Sequence, residues 1–238
     1  MRPVERGPCP RDATGEDVVL DPYNHARPHL IGRTGDYCWF CEMPHPTVAV
    51  EHIRYKDNNP DLRCEWSNFL LACPSCNSTK GTKVDTQADV DRHLWPHLHR
   101  TFDAFVYSRE GIVRLAEVAD PVFAARARAT EELVGLTRRP GNGLTKEQIL
   151  RGSDRRYEKR RVAWEEAVEA RKDLWEQDTP VVRKQILKSA RAVGFWSVWM
   201  TVFHDDEAMR TELCNEAFRG TASDRVFAKQ PSLASRMS

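Results

Sequence analysis

The spacing of apolar residues changes character after residue 84. Beyond that point, apolar residues recur three and four positions apart, which is typical of helices that bury one face. The segments with this spacing are 122–136, 155–177, 181–193 and 205–218. Residues 195–203 form the most hydrophobic stretch of the chain, and we expect them to lie in the core of this helical part.

Two short segments earlier in the chain have the composition of strands. Residues 47–53 contain β-branched side chains, and their hydrophobicity alternates in a way that suits a strand. Residues 69–72 form a compact apolar run. A polar run follows Pro74 and reaches Gly81, which predicts a helix that begins at the proline. The predicted order is therefore strand, strand, helix.

These patterns predict an α+β fold that is predominantly α-helical. Residues 1–37 contain five prolines and no sustained periodicity, so we expect an N-terminal arm or covering layer that could include one short helix. A compact domain is predicted at 38–110 and a helical C-terminal region at 111–238.

Composition limits the classes of function. The 238 residues are 40% hydrophobic, which is enough to bury a core. Lys and Arg total 36 against 35 for Asp and Glu, so the chain lacks the strongly basic surface of a protein that holds nucleic acid by charge alone. The first thirty residues contain no apolar run typical of a secretory signal, and no segment is apolar for long enough to cross a bilayer. We therefore expect a cytoplasmic protein with no membrane contact.

Two Cys-x-x-Cys pairs, Cys38/Cys41 and Cys73/Cys76, are the most specific chemical signal. Two intervening residues let both sulfurs of a pair face one ion, so the pairs can supply four thiolates to one structural zinc. In a reducing compartment this is favoured over disulfides. Zinc modules without catalytic activity are common, so a non-catalytic module that binds nucleic acid or protein is the alternative interpretation.

A Glu51-His52 dipeptide lies between the cysteine pairs, and Asn77 directly follows the last cysteine. Imidazole titrates near neutral pH, so His52 can act as a general base that takes a proton from water. Neighbouring strand residues point to opposite sides. A divalent ion bound by Glu51 must therefore sit at the strand edge, where the helix that carries Asn77 packs.

Four motifs resemble those of the HNH endonuclease family. They are Cys38-x-x-Cys41, Val50-Glu51-His52-Ile53, Trp66-x-Asn68-Phe69-Leu70-Leu71 and Cys73-x-x-Cys76-Asn77-x-x-Lys80-Gly81. The resemblance implies a ββα-metal core that hydrolyses nucleic acid, with DNA as the expected substrate, and it makes 38–110 the nuclease domain. It also implies that His52 is the base, that Glu51 and Asn77 bind Mg²⁺ or Mn²⁺, and that Asn68 ties down the loop between the strands. Glu51 replaces the more common Asp of the family, and Asn77 replaces a His found in many members.

A wider similarity is to HNH proteins of bacterial anti-phage systems of the Septu and retron type. It includes the opening Met-Arg-x-Val and the segment Leu94-Trp95-Pro96. It implies a defence nuclease that acts with an ATPase partner.

Three basic residues are predicted nucleic-acid contacts: Lys80 near the predicted helix, and Arg155 and Lys159 in a basic run. A solvated helix face is the alternative interpretation of the basic run.

Overall fold

The structure, a computed structural model, describes residues 1–152 and 154–227. The predicted helical region at 111–238 is thus described except for residue 153 and residues 228–238, which lie outside the described residues. Each helix among the described residues is too short or too polar to span a bilayer.

The first half of the chain contains the short strands and three helices of at most nine residues. In chain order these elements are α1 (Ala26–Thr34), β1 (Ala49–His52), β2 (Phe69–Ala72), α2 (Pro74–Lys80), α3 (Gln87–Asp91), β3 (Phe105–Tyr107) and β4 (Val113–Leu115). β1 pairs antiparallel with β2, and α2 follows directly, so the predicted order of strand, strand and helix is confirmed. Pro74 occupies the first turn of α2, where a missing N–H costs nothing.

The second half is helical, as its apolar spacing predicts. Its elements are α4 (Pro121–Val134), α5 (Lys146–Leu150), α6 (Arg156–Glu176), α7 (Pro180–Val193), α8 (Trp196–Val202), α9 (Glu207–Glu212), a π-helical turn (Leu213–Ala217) and α10 (Asp224–Phe227). α8 lies within the hydrophobic stretch 195–203 and is almost wholly buried, so that stretch forms core.

The β3–β4 hairpin was not predicted. Each strand has only three residues, too few for an alternating pattern to emerge. The domain boundary expected between residues 110 and 111 falls in the loop of this hairpin. The hairpin therefore belongs to both sides of that boundary.

The N-terminal arm is built into the fold. α1 packs against β2, and Leu30 is fully buried. Val4 forms a bridge with Thr221, and its N–H donates to the carbonyl of Pro96. Buried side chains from 1–37, from the ββα unit and from the helices belong to one hydrophobic cluster.

Candidate metal centre and active site

The four cysteines predicted to bind zinc lie together in the interior. Their sulfur atoms are all within 4.8 Å of one another, and the Sγ atoms of Cys41 and Cys73 are 3.7 Å apart. Zinc with Zn–S bonds of about 2.3 Å in a tetrahedron separates its sulfurs by about 3.8 Å. The four thiols therefore fit a zinc site.

Backbone hydrogen bonds shape the turn that carries Cys38 and Cys41. The N–H of Glu42 donates to the carbonyl of Cys38, and the N–H of Cys38 donates to the carbonyl of Met43. Glu42 has a φ of 68°, so the chain reverses there through the left-handed region. The N–H of Trp39 donates to the carbonyl of Leu71, which attaches this turn to β2.

Glu51 and His52 are the last two residues of β1. Glu51 is opposite Leu70 and His52 is opposite Phe69, so their side chains leave the hairpin on opposite faces. Both are buried, with exposed fractions of 9% and 5%. The hairpin thus gives the two groups different surroundings.

The carboxylate of Glu51 faces α2 and meets a lysine from that helix. Nζ of Lys80 donates to Oε1 of Glu51 at 2.8 Å, and Lys80 is fully buried. Burial raises the pKa of the Glu51 carboxyl, while the charge of Lys80 acts in the opposite direction. This corrects the prediction of Lys80 as a phosphate contact, because its ammonium is directed into the protein.

The imidazole of His52 is held between two aromatic rings and a carbonyl. It packs edge-on against Tyr23 and Phe69, at ring-centroid distances of 4.7 Å and 5.3 Å. Nε2 lies 2.9 Å from the carbonyl oxygen of Arg63. Since a carbonyl only accepts, the neutral ring carries its proton on Nε2 and a lone pair on Nδ1. Burial lowers the pKa of His52, although the bond to the Arg63 carbonyl opposes this.

Asn68 closes the loop between β1 and β2. Its Oδ1 accepts from the N–H of Arg54 at 2.8 Å, and its Nδ2 donates to the carbonyls of Arg54 and Leu62. The loop that supplies the Arg63 carbonyl to His52 is therefore anchored by a buried amide.

Asn77 is half-buried and lies on the same face of α2 as Lys80, because the two are three residues apart. Lys80 contacts Glu51, so α2 packs beside the carboxylate of β1. Cys76 precedes Asn77 and belongs to the thiol cluster. One short helix thus carries both a cysteine of the thiol cluster and the amide that is predicted to bind a divalent ion.

The basic run around the start of α6 divides between surface and interior. Arg155 and Lys159 are exposed, and both line a cavity of about 480 Å³ together with His45 and Phe195. Arg155 pairs with Glu158. Arg156 and Arg160 of the same run are buried, so the run does not form one basic face.

The geometry of this segment agrees with a comparison against protein families. Residues 36–83 match the family model described as HNH endonuclease. This segment is an HNH domain. The HNH domain contains the four thiols, the Glu51-His52 pair and α2, whereas Arg155 and Lys159 lie outside it.

Two curated proteins are similar to this chain. A "Pup--protein ligase" of Nocardia farcinica is 26% identical over 187 residues, which cover 76% of this chain and 36% of that protein. The Septu protein PtuB of Bacillus thuringiensis is 33% identical over 72 residues, which cover 29% of this chain and 27% of that protein. The chain therefore spans about a third or less of the length of these relatives.

Sequence reasoning missed the burial of two charged side chains, one inside the HNH domain and one that contacts it. Arg156 donates from Nη1 to Sγ of Cys76 at 3.2 Å, and Lys80 pairs with Glu51. Helical spacing in the sequence indicates the burial of both side chains. Lys80 lies four residues after buried Cys76, and Arg156 lies seven residues before buried Ala163, so each continues a buried face.

Proposed function

We propose that this protein is a metal-dependent endonuclease that hydrolyses phosphodiester bonds, with DNA as its substrate. The observation that carries the proposal is the fixed tautomer of His52. Its Nε2–H is engaged by the Arg63 carbonyl, which leaves the lone pair of Nδ1 to accept a proton. A lowered pKa keeps this ring neutral at physiological pH.

Glu51 and Asn77 are the proposed ligands of a divalent ion. They offer carboxylate and amide oxygens, the donor types that suit Mg²⁺ and Mn²⁺. Lys80 engages one carboxylate oxygen of Glu51, but a carboxylate has about four lone-pair sites, so this contact does not exhaust it. When bound, the ion supplies positive charge that stabilises the departing 3′ oxygen.

Side chains of the protein carry out the proton transfer and position the base. Nδ1 of His52 takes a proton from water, and the resulting hydroxide attacks phosphorus in line with the leaving oxygen. Tyr23 and Phe69 limit rotation of the imidazole by packing against it. Asn68 positions the loop that orients the ring. The products have a 5′ phosphate and a 3′ hydroxyl.

Arg155 and Lys159 are the proposed contacts to the phosphate backbone. Both are exposed and lie at the cavity beside the turn that follows Cys41. Charge neutralisation by a few such residues gives salt-dependent binding without sequence preference. The balanced overall charge makes a local basic surface of this kind necessary.

Plasmid nicking tests the proposal. We expect cleavage with Mg²⁺ or Mn²⁺ and none with EDTA, and we expect Asn77→Ala to need more Mg²⁺ than wild type. Asn142→Ala changes an exposed asparagine outside the HNH domain and serves as the matched control. Equal Mg²⁺ dependence of both variants would remove Asn77 as a ligand. Absence of cleavage by folded wild-type protein, alone and with its co-purified partners, would favour the non-catalytic zinc module.

We further propose that the nuclease serves a bacterial anti-phage defence system in the cytoplasm, where it acts with an ATPase partner. The similarity to a Septu protein over 72 residues supports this proposal. Affinity purification of the tagged chain from its host, followed by mass spectrometry, tests it. We expect an ATPase in stoichiometric amount, and purification of the chain alone from phage-infected cells would contradict the partnership.

A further inference from the structure

Helix α6 directs two arginines into the interior beside the thiol cluster. Arg156 and Arg160 are one turn apart, and each is 1% exposed. Burial of a guanidinium is costly unless other groups compensate its charge and its N–H donors. The groups that surround these two side chains therefore show what compensates their burial.

Arg156 connects the cysteines to the helical region through one guanidinium. Nη1 lies 3.2 Å from Sγ of Cys76 and also donates to the carbonyl of Val134 at 2.9 Å. Nη2 donates to the carbonyl of Gly135 and to Asp154. The side chain thus reaches a thiol of the HNH domain, the end of α4 and a carboxylate next to its own helix.

Arg160 adds a second positive charge one turn further along. Nη1 donates to the carbonyl of Gly111 at 2.7 Å, while Nε and Nη2 have no hydrogen-bond partner among the described residues. Burial lowers the pKa of Arg160, and the nearby groups Tyr107, Cys41 and Glu42 act in the opposite direction. Its guanidinium also lies over the ring of Phe195, 5.9 Å from the ring centroid, so Arg160 fills the interior next to Arg156.

A zinc ion with four thiolates supplies a charge of the opposite sign. The assembly carries a net double negative charge, which is unfavourable in a buried site without cations nearby. An N–H donor to a coordinating sulfur also stabilises the thiolate form that binds metal. Asp154 competes for the same guanidinium, since its side chain is only 8% exposed and pairs with Arg156.

We propose that Arg156, supported by Arg160, is an outer-shell component of the zinc centre, so that retention of zinc by the HNH domain depends on helix α6. Both arginines lie outside 36–83, the segment that matches the HNH family. The zinc centre is thereby a junction between the nuclease segment and the helical region. This inference is independent of the proposed nuclease activity.

Competition between the zinc-loaded full-length protein and a chromogenic chelator tests the inference. Outer-shell partners of metal sites typically contribute about 10- to 100-fold in affinity, and we expect Arg156→Met to lower zinc affinity by this factor. Arg161→Met, on the exposed face of the same helix, is the control and should stay within about twofold of wild type. Unchanged affinity in Arg156→Met would overturn the proposal.

Two further variants separate charge from packing. Asp154→Asn removes the competing carboxylate but keeps the guanidinium near Cys76, so zinc should be held at least as tightly as in wild type. Arg160→Met should weaken zinc binding. Faster zinc release from Asp154→Asn would contradict the charge argument, and so would unchanged release from Arg160→Met. If Arg156→Met does not fold, these two variants test the proposal in its place. In cobalt-substituted protein, Arg156→Lys should shift the sulfur-to-cobalt charge-transfer band.

Discussion

Replacement of Lys80 by Met should strongly destabilise the protein. The change keeps an unbranched apolar side chain in a fully buried position but leaves the carboxylate of Glu51 without its ammonium partner. Unit charges 2.8 Å apart attract by about 6 kcal/mol at an effective dielectric constant of about 20, and desolvation offsets part of this. Loss of one partner of a buried pair costs about 3–5 kcal/mol, so we expect a decrease of that size in the free energy of unfolding.

Urea unfolding of the zinc-loaded protein, followed by tryptophan fluorescence, measures the effect. The matched control is Lys172→Met, since Lys172 pairs with Glu176 on the exposed side of α6 and should change stability by at most about 0.5 kcal/mol. The double variant Glu51→Gln/Lys80→Met should recover much of the loss, because no buried charge is left unpaired. A loss below about 1 kcal/mol for Lys80→Met, or a double variant less stable than the single one, would refute the reasoning.

Three other predictions concern stability, zinc and nucleic-acid binding. Burial lowers the pKa of His97 from about 6.5 to about 3, so the folded state keeps this imidazole neutral while the unfolded state takes up a proton below pH 6.5. Between pH 7.5 and 5, wild type should therefore lose about 2 kcal/mol more stability than His97→Gln in urea titrations, and equal losses would contradict this. Cys73→Ser should abolish stoichiometric zinc and lower helicity, by metal analysis and circular dichroism, whereas Cys64→Ser, outside the cluster, should do neither. The double variant Arg155→Ala/Lys159→Ala should reduce the slope of log affinity against log salt by about 2 in fluorescence anisotropy with duplex DNA, and an unchanged slope would exclude these contacts.

The order of elements in the HNH domain could be predicted from local sequence. β-branched alternation before His52, an apolar run at 69–72 and a proline at the start of α2 each have a local physical cause. The thiol cluster could also be predicted from spacing, because two intervening residues place both sulfurs of a pair on the same side of a tight turn.

The partners of the buried charged groups could not be predicted in this way. Lys80 and Arg156 belong to residue types that are almost always exposed, and each is buried because its partner comes from a distant segment. The carbonyl that fixes His52 comes from Arg63, whose backbone carries no sequence signal. Tertiary contacts of this kind decide the electrostatics of the candidate site.

The initial rate of plasmid nicking by His52→Ala tests the central claim most directly. His204→Ala, a histidine change far along the chain from the HNH domain, provides the control, and zinc content and circular dichroism verify folding. General base catalysis contributes about 10²- to 10⁴-fold, so His52→Ala should lose activity by that factor in Mg²⁺ while His204→Ala retains it. Folded His52→Ala protein that nicks DNA at the wild-type rate would contradict the assignment of His52 as the base.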